Sequence, residues 1–305
     1  MNTMKIRLIE LIKGTAIGIA NIIPGFSGGT MAVVFGLYEK LIYAFSHFFE
    51  TPIKIIKEMW VILLGVILGF GVAVFGITIL LDAYPIPTIL LFVGLVLGSL
   101  PKIQKRANLL SDEKAPKVAL IFGVAVLVAL TFIPFTGNGQ STLTTAFVIG
   151  LFFIGALGSA SMVIPGVSGS LIFLVFGYYD YILELASDFM SGVLSIDFSL
   201  IGSTIGYVLI FGVGVILGIV LIAKLIEKLM ITHKTIIYGF IVGLLLASPL
   251  AIIVNLYKEY PNEIDESTFG VWTIGIILAF LGTGISYYLG TKDSPEDIEA
   301  LQDTL

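Results

Sequence analysis

Cysteine is absent from the 305 residues. That excludes structural disulfides, thiolate metal sites and cysteine nucleophiles together, and says nothing about compartment. Charge is scarce as well. Lys, Arg, Asp and Glu make up 12% of the chain, about half of the roughly 25% found in soluble globular domains. So few polar residues cannot cover a soluble particle of this size. Histidine occurs only twice, as His47 and His233, both at segment ends where solvation is expected. No metal-ligand spacing and no cofactor motif is present, so neither group is expected. The net charge of −5 comes partly from an acidic C-terminal tail, so no nucleic-acid partner is expected. A basic stretch opens the chain, but no small-residue cleavage site follows it, so no cleavable signal peptide is expected.

What is present is apolar: 57% hydrophobic residues and a mean hydropathy of +1.07. An all-α polytopic membrane protein follows, with the bilayer as its principal partner. Ten apolar segments run at 6–23, 30–46, 59–82, 88–101, 118–134, 144–164, 170–187, 200–223, 236–254 and 270–290. A full crossing takes about 20 residues. Segments 59–82, 200–223 and 270–290 meet this easily, whereas 88–101 and 118–134 need extension into their flanks.

The chain repeats itself. Shifted by 141 residues, NIIPGFSGGTMAVVFGLYE falls on SMVIPGVSGSLIFLVFGYYD. Pro24, Gly25, Ser27 and Gly28 then pair with Pro165, Gly166, Ser168 and Gly169. Gly36, Tyr38 and Glu39 pair with Gly177, Tyr179 and Asp180. FGVAV at 70–74 meets FGVGV at 211–215, and a weaker echo aligns FVGLVLGSLP at 92–101 with FIVGLLLASP at 240–249 after a small insertion. The expected organisation is a first repeat over 1–135, a second over 136–290, and an acidic cytoplasmic tail over 291–305.

Basic residues set the orientation. Lys5, Arg7 and Lys13, then Lys54 and Lys57, then Lys102, Lys105, Arg106, Lys114 and Lys117, then Lys224, Lys228 and Lys234 mark cytoplasmic ends. Stretches 82–87, 135–143 and 187–199 carry no basic residue, and 255–269 carries only Lys258 among acids; these are external. Both termini are then cytoplasmic. Segments one and two leave the cytoplasm and return, whereas six and seven leave the outside and return. Each half is thus a hairpin followed by three crossings, and the halves are inverted. Inverted-topology repeats around a midplane site are a transporter signature.

Each hairpin is broken by Pro-Gly-x-Ser-Gly. If that turn lies at mid-membrane, about 10 helical residues reach the interface. From Thr30 this leads to Glu39 and Lys40, and backward from Pro24 it leads to Lys13. A re-entrant first hairpin is favoured over two full crossings. The second fits less neatly, because 144–164 is uncharged and long enough to cross. Non-helical backbone at that depth must be buried in protein or line a wet cavity. Past each break a new helix starts, with N–H groups at Ser27, Gly28, Gly29 and Thr30, and at Ser168, Gly169 and Ser170. Helix N-termini of this kind favour anions. The alternative is packing glycines with ordinary serine caps, and duplication weighs against it. Two helix ends supply about one positive charge against about −1.5 to −2 on a phosphate monoester, so Lys13, a cation or a proton would complete the balance. Glu39 and Asp180 suit proton coupling, or with Tyr38 and Tyr179 simply anchor the interface.

These paired motifs resemble the PopT-type polyprenyl-phosphate translocases, over essentially the whole chain up to its tail. The resemblance implies transport of undecaprenyl phosphate or a related polyprenyl phosphate across the cytoplasmic membrane of a prokaryote, recycling a carrier lipid for cell-wall synthesis. It also implies that the phosphate passes through the protein while the isoprenoid tail stays in lipid. A more distant similarity is to the PGxSRS motif of membrane undecaprenyl-pyrophosphate phosphatases. Gly28 and Gly169 stand where those enzymes have arginine, and phosphoryl transfer needs a cationic clamp. A non-enzymatic flippase is expected. A transporter of a small soluble anion and a membrane phosphatase are the other readings.

Overall fold

In the computed structural model, residues 3–21, 27–73, 78–132 and 144–292 are described. Pro24 and Gly25 lie outside them, as do the side chains of Ser170 and Asp180. Every regular element among the described residues is a helix. The first half holds α1 (Thr3–Ala20), α2 (Gly28–Val34), α3 (Tyr38–Ser46), α4 (Pro52–Val72), α5 (Thr78–Ala83), α6 (Pro85–Arg106) and α7 (Lys114–Thr131). The second holds α8 (Thr145–Val163), α9 (Gly169–Val175), α10 (Tyr179–Ser195), α11 (Phe198–Thr232), α12 (Lys234–Glu259), α13 (Pro261–Asp265) and α14 (Phe269–Lys292). Seven described helices are long and apolar enough to cross a membrane: α4, α6, α7, α8, α11, α12 and α14. The expectation of an all-helical membrane protein is met.

The short segment 88–101 does extend into its flanks. Proline starts α6 at Pro85, where a missing N–H costs nothing, and Lys105 and Arg106 close its last turn, where the helix dipole favours cations. The apolar segments 30–46 and 170–187, by contrast, are not single helices. Each is cut by a glycine in left-handed conformation, Gly36 at φ +69° and Gly177 at φ +73°. The Leu37 N–H donates to the Ala32 carbonyl and the Tyr178 N–H to the Phe173 carbonyl, both at 2.8 Å. This is the six-to-one bond of a Schellman turn, which ends a helix without any change in hydropathy. Hydrophobic patterning therefore ran straight through both breaks.

Four helix pairs build the body: α1 with α4, α8 with α11, α6 with α14, and α7 with α12. All four are parallel. A Cβ added at Gly14 or Gly18 would overlap the carbonyl oxygens of Ile62 or Val66, and one added at Gly65 or Gly69 those of Leu11 or Thr15. Contacts that advance in the same direction on both helices require parallel axes. The same ordering holds for Gly214 and Gly218 against Phe152 and Ala156, for Gly94 and Gly98 against Ala279 and Thr283, and for Gly239 and Gly243 against Pro116 and Leu120. In lipid there is no hydrophobic drive between helices, so small residues four apart let backbones approach and dispersion hold them. The first two pairs lie within a half; the other two join one half to the other. The main core gathers around α2, α3, α6 and α12, with Met31, Val34, Ile42, Ile62, Ile86, Ile89, Ile241 and Leu245 fully buried.

Candidate functional site

The described residues in and next to the two Pro-Gly-x-Ser-Gly motifs, 141 residues apart in sequence, meet in space. Ser27 caps α2, its hydroxyl accepting the Gly29 N–H at 3.2 Å. The same hydroxyl donates to the Met162 carbonyl at 3.2 Å, across to α8. In return the Gly166 N–H donates to the Thr30 hydroxyl at 2.7 Å. Gly166 takes φ +84°, a conformation that glycine reaches without Cβ strain. Gly29 lies against the backbone of the opposite motif: an added Cβ would be 2.8 Å from both the Met162 and the Val163 carbonyl oxygens.

Gly28 lies against the Asn21 side chain, and Gly169 against Met162 and the Gly158 carbonyl. Asn21 itself donates to the Ile17 carbonyl at 2.9 Å. Pro165 is buried, and Ser168 is half-buried. Of the residues singled out from sequence, Ser27, Gly29, Thr30 and Gly166 therefore form one seam. In this conformation its hydroxyls are spent on the opposing hairpin.

Beside the seam is a cavity of about 240 Å³ between α1, α2, α3, α4, α8 and α11. Asn21, Gly28, Gly29 and Ser159 give it a little polarity; Leu41, Ile42, Phe45, Leu63, Val66 and Met162 make the rest apolar. Such walls suit hydrocarbon. A phosphate placed there would lose its hydration without replacement.

The strongest charge cluster is elsewhere, one helix turn past the end of α2. Arg106, on the last turn of α6, donates to the Glu39 carboxylate and, at 2.6 Å, to the Tyr238 hydroxyl. Its guanidinium lies 5.2 Å from the Tyr238 ring centre. Both ionic side chains are sequestered, at 16% exposure for Arg106 and 8% for Glu39. Lys102 lines the same pocket with Val33, Gly36, Tyr38, Ile103 and Tyr238. Tyr38 is buried and faces both this pocket and the apolar cavity. Lys13 is also buried, on α1, while Tyr179 is half-buried.

Arg106, Lys102 and Tyr238 were not legible as site residues. In sequence Lys102 and Arg106 count as topogenic charges, and their partner Glu39 is 67 residues from Arg106. The one available signal was the four-residue spacing of the two cations on a single helix face. His47 departs from expectation too. Its ring stacks on Tyr43 at 4.3 Å, and Nδ1 approaches Ser46 Oγ at 2.9 Å and Glu227 Oε1 at 3.6 Å. With α3 packed on α11 it is half-buried, whereas His233 is exposed.

A family model described as undecaprenyl phosphate translocase-like matches residues 17–267. A curated polyprenyl-phosphate transporter of Staphylococcus aureus is 27% identical over 296 residues, covering 92% of this chain and 95% of that protein. Another, from Vibrio cholerae, is 26% identical over 264 residues, covering 79% of this chain and 76% of its own length. No solved structure matches the chain significantly.

Proposed function

Because the chain belongs to the undecaprenyl phosphate translocase-like family, we propose that it carries a polyprenyl phosphate across the membrane without hydrolysing it. The observation that carries this reading is the seam: two helix starts at matching Pro-Gly-x-Ser-Gly motifs, each hydrogen-bonded to the other hairpin, beside an apolar cavity. Parting the seam releases the Ser27 and Thr30 hydroxyls and the Gly166 N–H, which can then hold phosphate oxygens. Ser168, Gly169 and Ser170 contribute from the second hairpin, with Pro165 beside them; Gly28 belongs to the same site on the first, and Pro24 and Gly25, its other proposed members, lie outside the described residues. Lys13 supplies charge that the helix ends lack. Glu39 and Asp180, with Tyr38 and Tyr179, stand where the returning arms turn and serve gating or coupling.

The helix pairing supports two inverted repeats, 1–135 and 136–290; the cytoplasmic side of the tail over 291–305 rests on the pattern of basic residues. With α4, α6 and α7 alternating, and α11, α12 and α14 alternating, the parallel pairs α6–α14 and α7–α12 require α4 and α11 to point oppositely. Since α1 parallels α4 and α8 parallels α11, the hairpins enter from opposite faces. The register also supports re-entrance. Gly218 packs against Ala156, so the end of α8 lies abreast of about residue 225, roughly 10 Å short of the end of α11 at ~1.5 Å per residue. Glycine at positions 28 and 169, in place of arginine, supports carriage over hydrolysis.

In liposomes the purified protein should accelerate inversion of polyprenyl phosphate with no release of phosphate from polyprenyl pyrophosphate. A rate equal to protein-free vesicles would refute carriage, and phosphate release would establish the enzyme. Orientation is checked by single cysteines, since the chain has none. Leu110→Cys, at a fully exposed position, should react with an impermeant thiol reagent only from the cytoplasmic face, and Ile196→Cys only from the outside. The reverse pattern would invert the topology.

A further inference from the structure

We propose that Arg106 and Lys102 form a phosphomonoester-binding subsite at the cytoplasmic end of the path, kept shut in the empty protein by the Glu39 carboxylate. This deepens the reading of the chain as a lipid-phosphate carrier and rests on it. Four observations converge. First, the pocket is built for an oxyanion: a guanidinium, an ammonium and a phenol hydroxyl line it, and both described Arg106 hydrogen bonds leave from one nitrogen, Nη1. A guanidinium carries five N–H donors in a fork that fits phosphate oxygens.

Second, only about 10 Å³ of the pocket is free, about the space that one water needs and too little for a phosphate. The carboxylate of Glu39 itself occupies the anion position, so a phosphate enters only as Glu39 leaves. Glu39 sits in the first turn of α3, immediately after the left-handed Gly36. The Lys102 ammonium stands over that glycine, 3.1 Å from where a Cβ would be, so the turn that carries Glu39 is adjacent to the second cation of the pocket.

Third, the pocket adjoins the apolar cavity through Tyr38, whose side chain is a wall of both. A molecule with a charged head and a hydrocarbon tail could span the two compartments around that ring. Fourth, the pocket is one-sided. With Pro101 aligned on Pro249, Leu250 and Val254 stand where Lys102 and Arg106 stand. A strut needed by the repeated architecture would be expected in both halves, and as a strut a buried ion pair is a weak choice, since apolar replacement is often neutral or better. A subsite at the face where the lipid is delivered needs to exist only once. Competition from Glu39 then keeps the phosphate from being held too tightly to leave.

The test uses the full chain in nanodiscs, with farnesyl phosphate and inorganic phosphate as probes and thermal unfolding as a folding control. Glu39→Gln should tighten farnesyl phosphate binding severalfold while slowing liposome transport. Arg106→Gln should weaken binding at least about tenfold, as expected for a lost charge-assisted bond, with Lys102→Gln in the same direction. Arg106→Lys, which keeps the charge and loses the fork, should fall between. Opposite signs at Glu39 and Arg106 are the signature, because a structural pair would weaken binding from either side. Equal weakening from both variants, or wild-type affinity in both Arg106→Gln and Lys102→Gln, would overturn the subsite. Dependence on Arg106 for inorganic phosphate alone would overturn its assignment to lipid. Wild-type protein that fails to move lipid at all would instead count against the carrier reading, separately from the subsite.

Discussion

Gly29→Val should reduce lipid transport in liposomes by more than about tenfold while leaving the protein folded. The reason is the seam. A Cβ at Gly29 would be 2.8 Å from two carbonyl oxygens of the opposite motif, those of Met162 and Val163. Both belong to backbone, so neither can rotate away as a side chain would. The hairpins must separate, and the Ser27–Met162 and Gly166–Thr30 hydrogen bonds separate with them. Each is worth about 1 kcal/mol net, a small part of a domain's stability but the whole register of the seam. Gly284→Ala is the matched control, because an added Cβ there meets nothing within 4 Å. Transport by Gly29→Val at the wild-type rate would remove the seam from the mechanism.

Gly94→Leu is expected to have the largest effect on stability, a loss of about 3 kcal/mol or more. The α6–α14 pair depends on backbone contact at Gly94 and Gly98, where the one proton of the Thr283 hydroxyl is shared between the Gly94 carbonyl at 3.1 Å and the Ala279 carbonyl at 2.9 Å. Most of the remaining surface of α14 faces outward, so little else retains it. A leucine at Gly94 would overlap the Ala279 carbonyl and push the helices apart over several turns. Denaturant unfolding in detergent should show a markedly lower midpoint, and Thr283→Ala a shift several times smaller, near the ~0.6 kcal/mol typical of an interhelical bond in a membrane protein. An unchanged midpoint for Gly94→Leu would mean that α14 is held by contacts other than this seam.

Much of the architecture could be read from residue order. Scarcity of charge required lipid, because 12% charged residues cannot solvate such a chain. The 141-residue repeat located the paired motifs, because Pro, Gly and Ser in a fixed order within apolar surroundings have few other uses. Boundaries were harder where hydropathy does not change. The Schellman turns at Gly36 and Gly177 end helices by backbone geometry, and apolar residues continue on both sides.

The site divides along the same line. Ser27, Gly29, Thr30 and Gly166 were visible from sequence because their chemistry is local: helix starts, glycines and hydroxyls within a few residues. Arg106 was not, because its meaning depends on Glu39 and Tyr238, and Tyr238 is 132 residues away. His47 likewise meets Glu227 only because α11 packs beside α3.

By itself, then, the sequence determined the solvent, the helical class, the repeat and the place of the two Pro-Gly-x-Ser-Gly interruptions. Each of these follows from composition or short-range periodicity, which need no knowledge of neighbours. Tertiary structure alone decided that Ser27 and Thr30 meet the second hairpin, that their hydroxyls bond its backbone at Met162 and Gly166, and that the half-buried Arg106 and Lys102 share a pocket with Glu39. Those facts depend on which helix faces pack. In lipid that choice rests on close fit of small residues and on buried polar pairs, and neither is written along the chain in the order in which it is read.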